Sequence, residues 1–129
     1  MGREPVAEVA PAHVLIVDDN LAYAENLAEI LELSDCPSEV FATAEEALPT
    51  ALGPDAYAVI TDFRLPGMNG IELLAQIIRA RGALPAIVIS AYADEGVVDA
   101  AKALGAEYHA KPVALPLIER FVRDLRPQA

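Results

Sequence analysis

Asp18-Asp19 closes the apolar run Val14-Leu15-Ile16-Val17, and Asp62 closes a second run, Ala58-Val59-Ile60-Thr61. Ser90 ends a third, Ile87-Val88-Ile89, and Lys111-Pro112 follows a strand-like segment near the C-terminal end. Strands of a parallel sheet are buried on both faces and read as unbroken apolar runs. Their carboxyl ends are where such sheets bind ligands. Three carboxylates at one mouth repel: at ~5 Å and an effective dielectric of about 20, each charged pair costs roughly 3 kcal/mol. A cationic partner belongs there. A hard divalent metal, helped by a lysine, answers that need.

The elements that must carry these residues are five apolar strands alternating with five helices. The strand candidates are His13–Val17, Ser38–Ala42, Ala56–Thr61, Ala83–Ser90 and Glu107–Ala110. The first helix has Ala24, Leu27, Ala28 and Leu31 on one face, the stripe of an amphipathic helix. The second opens on Thr43-Ala44-Glu45-Glu46, a capping-box pattern, and Pro49 inside it predicts a kink or an early end. Ile71, Leu74 and Ile78 mark the third helix, Val97, Ala101 and Leu104 the fourth, and Leu115, Ile118, Val122 and Leu125 the fifth. Gly53, Gly82 and Gly105 each follow a helical run, the position where glycine adopts a left-handed conformation without penalty. Strict βα alternation with short connections predicts a parallel sheet with helices on both faces. Right-handed crossovers then bring the ends of the first and third strands together.

Each chemical signal has an ordinary explanation. Asp18, Asp19 or Asn20 serves equally well as a helix N-cap. Pro66-Gly67 and Asn69-Gly70 are turn chemistry, which leaves Asp62 exposed at a strand–loop junction. A lone serine at a strand end is commonly a loop hydroxyl, and a lysine before proline a solvated surface residue in extended backbone. Capping, however, explains one acid and not two adjacent acids with a third at the neighbouring strand end.

Composition narrows the classes. The chain has 129 residues, 54% of them hydrophobic, enough for one compact domain. Nine basic residues against 20 acidic give a formal charge of −11, which argues against binding a phosphate backbone. The single Cys36 leaves no partner for an intramolecular disulfide, fits a reducing compartment and reads as a small buried hydrophobe. No apolar stretch reaches the ~18 residues of a membrane span. Met1 to Ala12, with two prolines and mixed charges, reads as a flexible leader.

Taken jointly, three acids, a hydroxyl and an ammonium fall at four strand ends of one sheet. With Val17-Asp18-Asp19, Thr61-Asp62, Leu65-Pro66-Gly67-Met68-Asn69-Gly70, Ser90-Ala91-Tyr92, Gly105-Ala106, Tyr108 and Lys111-Pro112, the chain resembles a response-regulator receiver domain of two-component signalling. The resemblance runs from about His13 to Leu125. It implies a chemotaxis-receiver-like, flavodoxin-like fold: a doubly wound (βα)5 three-layer sandwich with strand order 2-1-3-4-5. The domain would span 13–126, after a leader at 1–12 and before a tail at 127–129. Kinship supplies that order, not periodicity.

The resemblance also implies roles. Asp62 would be the phosphoacceptor, taking a phosphoryl group from a histidine kinase or a phosphotransfer protein. Asp19, Asp62 and the backbone carbonyl of Arg64 would bind Mg²⁺, with Asp18 acting through water and Mn²⁺ able to substitute. Lys111 and Ser90 would hold phosphoryl oxygens. Ser90 and Tyr108 would form the switch, Tyr108 turning inward on the face made by the fourth helix, fifth strand and fifth helix. Arg64 and Tyr92 fill the two positions that tune dephosphorylation in the family, and a bulky pair there implies a longer-lived mark. Gly105 to Tyr108 is one residue shorter than is common, although the Tyr-x-x-Lys-Pro spacing survives. Such a chain is cytoplasmic, binds neither nucleic acid nor membrane, and signals to a downstream protein whose identity the sequence does not give. It is no enzyme beyond its own phosphorylation and dephosphorylation. Two other readings stand beside it: a receiver-like binding module working without phosphorylation, and a magnesium-dependent aspartyl phosphatase. The phosphatase fits poorly, because such enzymes carry Asp-x-Asp on the first strand where this chain has Asp18-Asp19-Asn20.

Overall fold

A computed structural model describes residues 13–91 and 95–125. The expected leader 1–12, Tyr92 and residues 126–129 lie outside the described residues. The elements alternate strictly: β1 His13–Val17, α1 Leu21–Leu33, β2 Ser38–Phe41, α2 Ala44–Ala51, β3 Ala56–Asp62, α3 Gly70–Arg81, β4 Ala86–Ser90, α4 Glu95–Ala103, β5 Glu107–Ala110 and α5 Leu115–Leu125. All five strands are parallel and their order is β2-β1-β3-β4-β5.

Because successive strand residues point to opposite faces, the central strands feed two cores. Leu15, Val17, Val59 and Val88 pack against α2, α3 and α4 through Ala47, Leu74, Ile77 and Ala101. Val14, Ile16, Ile60, Ile87 and Ile89 pack against α1 and α5 through Leu27, Leu31, Ile118 and Val122. This is the three-layer sandwich expected from the alternation. No helix among the described residues is long and apolar enough to cross a membrane.

Several local expectations change. β4 begins at Ala86, not Ala83: Pro85 has no amide hydrogen for the ladder, although its carbonyl accepts the Val59 N–H at 3.1 Å. β2 stops at Phe41, and β3 runs one residue further than expected, because Asp62 keeps register with Ile89. The buried stripe of α3 is Gly70, Leu73, Leu74 and Ile77, with Ile71 and Ile78 at its margin. In α5 Leu115 is exposed and Phe121 takes the inward place. Cys36 is part-buried against the α1/α5 core. Gly82 and Gly105 adopt positive φ as expected, whereas Gly53 does not; Asp35, at φ 59°, provides the left-handed residue after α1.

The capping expectation was right in kind. The Thr43 hydroxyl accepts the Glu46 N–H at 3.1 Å, and Pro49 sits inside a helix of only eight residues. A full reciprocal box forms at α3, where Asn69 Oδ1 accepts the Glu72 N–H at 2.8 Å and Glu72 Oε1 accepts the Asn69 N–H at 2.9 Å. At the other end of α3, Arg81 Nη1 donates to the carbonyls of Ala51, Gly53 and Ala56, at 3.1, 3.3 and 2.9 Å. It closes the end of α2 and the entry to β3. Arg81→Ala should therefore lower the urea midpoint with an unchanged m-value, by about 1.5 kcal/mol, as charged donors to carbonyls are worth. An unaltered midpoint would show that the clamp contributes nothing.

Candidate functional site

The sheet ladder continues past the strand ends and fixes the backbone of each site residue. Asp18 N–H donates to Phe41 O at 2.9 Å, Phe63 N–H to Ile89 O at 2.8 Å, and Lys111 N–H to Ser90 O at 2.9 Å. The carboxyl ends of β1, β3, β4 and β5 are thereby held along one edge. Asp18 and Asp62 are 3% and 8% exposed, Ser90 is buried, and Asp19 is exposed. The turn chemistry after Asp62 does not leave it open to solvent: its register with β4 and the adjacent start of α3 bury it.

The three acids converge. Asp18, Asp19 and Asp62 each offer one carboxylate oxygen, and these oxygens lie within 4.8 Å of one another. Lys111 Nζ stands 2.8 Å from Asp18 Oδ2 and 3.2 Å from Asp62 Oδ2. Asp18 Oδ1 accepts the Asn20 N–H at 2.9 Å, and Asp62 Oδ1 accepts the Arg64 N–H at 3.3 Å. Asn20, not either aspartate, is the cap of α1, its Oδ1 accepting the Tyr23 N–H at 3.2 Å. None of the three acids is therefore spent on capping α1.

The electrostatics follow from this crowding. Burial, then the neighbouring charge of Asp18, raises the Asp62 pKa above the ordinary carboxylate value; Lys111 and the Arg64 N–H oppose them without prevailing. For Lys111, burial alone would lower the pKa, but the hydrogen bond to Asp18 and the charges of Asp18 and Asp62 outweigh it and raise the ammonium's pKa. An all-oxygen, anionic donor set of this kind suits a hard divalent cation such as Mg²⁺.

Other predicted residues take places consistent with their positions. Arg64 is exposed in the loop after Asp62, and Ser90 ends the strand beside β3, one residue past Ile89. Tyr108 pairs in register with Val88 and is half-buried against the α2/α3/α4 core. Sequence reasoning missed three residues that shape the site. Glu45 of α2 accepts the Met68 N–H at 2.8 Å and so anchors the loop after Asp62. Gly70 packs on the Asp62 carbonyl. Tyr23 of α1 lies against Lys111. The glycine was visible as turn chemistry; the other two gave no local signal.

A flavodoxin-like sheet carrying an acid triad and a lysine at its carboxyl edge defines the chemotaxis-receiver-like class of signalling module. Comparison with known proteins agrees. The family model for the response regulator receiver domain matches residues 14–123. A response regulator receiver protein of Anaeromyxobacter sp. (strain Fw109-5) is 39% identical over 105 residues, covering 81% of this chain and 44% of the relative. The C4-dicarboxylate transport transcriptional regulatory protein DctD of Rhizobium meliloti is 32% identical over 118 residues, covering 91% of this chain and 25% of its own length. The crystal structure of a receiver domain protein from Methanospirillum hungatei JF-1 superposes with a TM-score of 0.81 at 30% identity, covering 90% of this chain and 94% of that one. The chain belongs to the response regulator receiver domain family of two-component systems. It spans 44% and 25% of the two curated relatives just described. Receiver domains bind Mg²⁺ at an acidic pocket and interact with kinases and downstream effectors; Asp18, Asp19 and Asp62 form such a pocket here.

Proposed function

We propose that this domain accepts a phosphoryl group on Asp62 from a histidine kinase or a phosphotransfer protein, and passes the signal on by changing shape. The observation that carries the reading is the Lys111 ammonium, held 2.8 and 3.2 Å from two of three converging carboxylates. Phosphoryl transfer needs alignment and charge neutralisation more than covalent help. Asp62 Oδ bonds to phosphorus as the bond to the donor imidazole nitrogen breaks, and the imidazole leaves with that electron pair. Lys111 pairs with a phosphoryl oxygen and Ser90 donates a hydrogen bond to another. Asp19, Asp62 and the Arg64 carbonyl would hold Mg²⁺, with Asp18 supporting them. When bound, the ion offsets negative charge on the carboxylates and the transferring group. The domain acts on itself alone and is otherwise no enzyme.

Signalling follows from the same residues. A phosphoryl group on Asp62 draws Ser90 inward, and half-buried Tyr108 turns further in, repacking the α4–β5–α5 face for a downstream protein. Exposed Arg64 shields the acyl phosphate from water and lengthens its life, a role the family resemblance would give Tyr92 as well.

Incubation with acetyl phosphate and Mg²⁺ should add the mass of one phosphoryl group to the intact protein, and Asp62→Asn should abolish the gain. A wild-type protein of unchanged mass would return the domain to a phosphorylation-independent binding module. Mg²⁺ should also stabilise the fold, since it binds the native acids and hardly binds the unfolded chain. At tenfold over Kd this is worth about 1.4 kcal/mol, a rise in melting temperature of roughly 5 °C. Asp19→Asn should shrink that rise, and an unchanged magnesium response would remove Asp19 from the ligand set.

A further inference from the structure

Tyr23 lies in the first turn of α1, its backbone fixed by the N-cap bond to Asn20. Its side chain is half-buried and packs on the α1/α5 core, as Val113 does. Two polar contacts set it apart from a packing residue. The Lys111 ammonium lies 4.7 Å from the ring centroid, within reach of the ring's negative face. The phenolic oxygen accepts the Val113 N–H at 3.1 Å, two residues beyond Lys111. One side chain therefore touches both the ammonium that faces Asp62 and the backbone that leads from that lysine into α5.

Lysine carries a point charge on a flexible four-carbon stem, which loses rotamer freedom when held. The Lys111 N–H is bound to Ser90 O at 2.9 Å, so its backbone is fixed. The stem has no such restraint, and the two carboxylates that attract the ammonium are the groups a metal and a phosphoryl group engage. A neutral aromatic face keeps its attraction when those acids are otherwise occupied.

We propose that Tyr23 is a positioning residue for Lys111: its ring steadies the ammonium over the acid pocket while its hydroxyl fixes the turn from β5 to α5. The inference rests on the phosphoacceptor role of Asp62 for its functional consequence, though not for the contact itself. An aliphatic residue would fill the same space without either polar contact.

The test uses Tyr23→Leu and Tyr23→Phe in the full chain, each checked for folding by thermal melting. At saturating Mg²⁺, phosphorylation by acetyl phosphate should slow about fivefold in Tyr23→Leu. In Tyr23→Phe, which keeps the ring and loses the hydroxyl, it should slow about twofold. In a Lys111→Met background Tyr23→Leu should cause no further slowing, because the group it positions is gone. The Lys111 ε-methylene protons should show an upfield ring-current shift in the wild type, retained in Tyr23→Phe and lost in Tyr23→Leu. Equal slowing with and without Lys111, or no slowing, or no ring-current shift, would reduce Tyr23 to packing. Should the wild-type protein gain no mass at all, the phosphoacceptor reading falls by itself, and the ring-current shift still decides whether Tyr23 holds the ammonium.

Discussion

Lys111→Met should lower the stability of the metal-free protein by about 2 kcal/mol at neutral pH, and Mg²⁺ should recover most of the loss. Removing one partner from a fully buried ion pair costs roughly 3–5 kcal/mol, because the other charge is left uncompensated. Here the ammonium serves two carboxylates at 2.8 and 3.2 Å, but the lysine side chain keeps 17% of its exposure, so water tempers the penalty. The pH dependence fixes the cause. Burial and Asp18 raise the folded-state pKa of Asp62 above its unfolded value of 3.8. A raised pKa means that the protonated acid favours the fold; that contribution is full below the unfolded value and is lost as pH rises through the folded one. Lys111 is what limits the loss. Its own raised pKa gives stability that is full below 10.5 and disappears only as pH climbs through the higher folded value. The difference between wild type and variant should therefore be largest between these ranges, and should shrink in acid as Asp62 becomes protonated in both. Denaturation across pH, with and without Mg²⁺, measures it. A difference that persists undiminished in acid would mean that the Asp62 charge is not responsible.

The same cluster shows what a sequence can and cannot display. Alternating strand and helix patterns were enough for a doubly wound parallel sheet, and the terminal acids of β1 and β3 were enough for a convergent anionic site. Both depend on local periodicity and on the short reach of a strand end. The residues that escaped detection act across the chain. Arg81 meets carbonyls 25 to 30 positions away, and Tyr23 meets Val113 at a separation of 90. Tyr57 donates its hydroxyl to the Leu125 carbonyl, 68 residues on. Nothing in a neighbouring residue announces such an approach. The α3 stripe was right at Leu74 but missed Leu73 and Ile77 for a different reason: both stand in adjacent apolar pairs, Leu73-Leu74 and Ile77-Ile78, and a helical period alone does not say which members face inward. Only the position of the sheet selects Leu73, Leu74 and Ile77 as the inward set.

Gly70→Ala should destabilise the domain by roughly 2–3 kcal/mol, as overpacking against unyielding neighbours does. In most helices the same change helps, since alanine is about 1 kcal/mol better than glycine. The reversal comes from one contact. A Cβ at Gly70 would stand 2.3 Å from the Asp62 carbonyl oxygen and 3.1 Å from the Thr61 side chain. Neither side yields easily: the carbonyl belongs to a strand whose next N–H, that of Phe63, is bound to β4, and the helix start is held by the Asn69–Glu72 box. Relief requires moving either α3 or the end of β3, and both routes bear on Asp62. A displacement of about 1 Å at a reacting group can cost a hundredfold in rate. Phosphorylation by acetyl phosphate should accordingly fall far more than the folded fraction does, at a temperature where circular dichroism shows the variant folded. If Gly70→Ala proved as stable as the wild type and as quickly phosphorylated, the acceptor strand would have room to move, and the rigid seat assigned to Asp62 would be wrong.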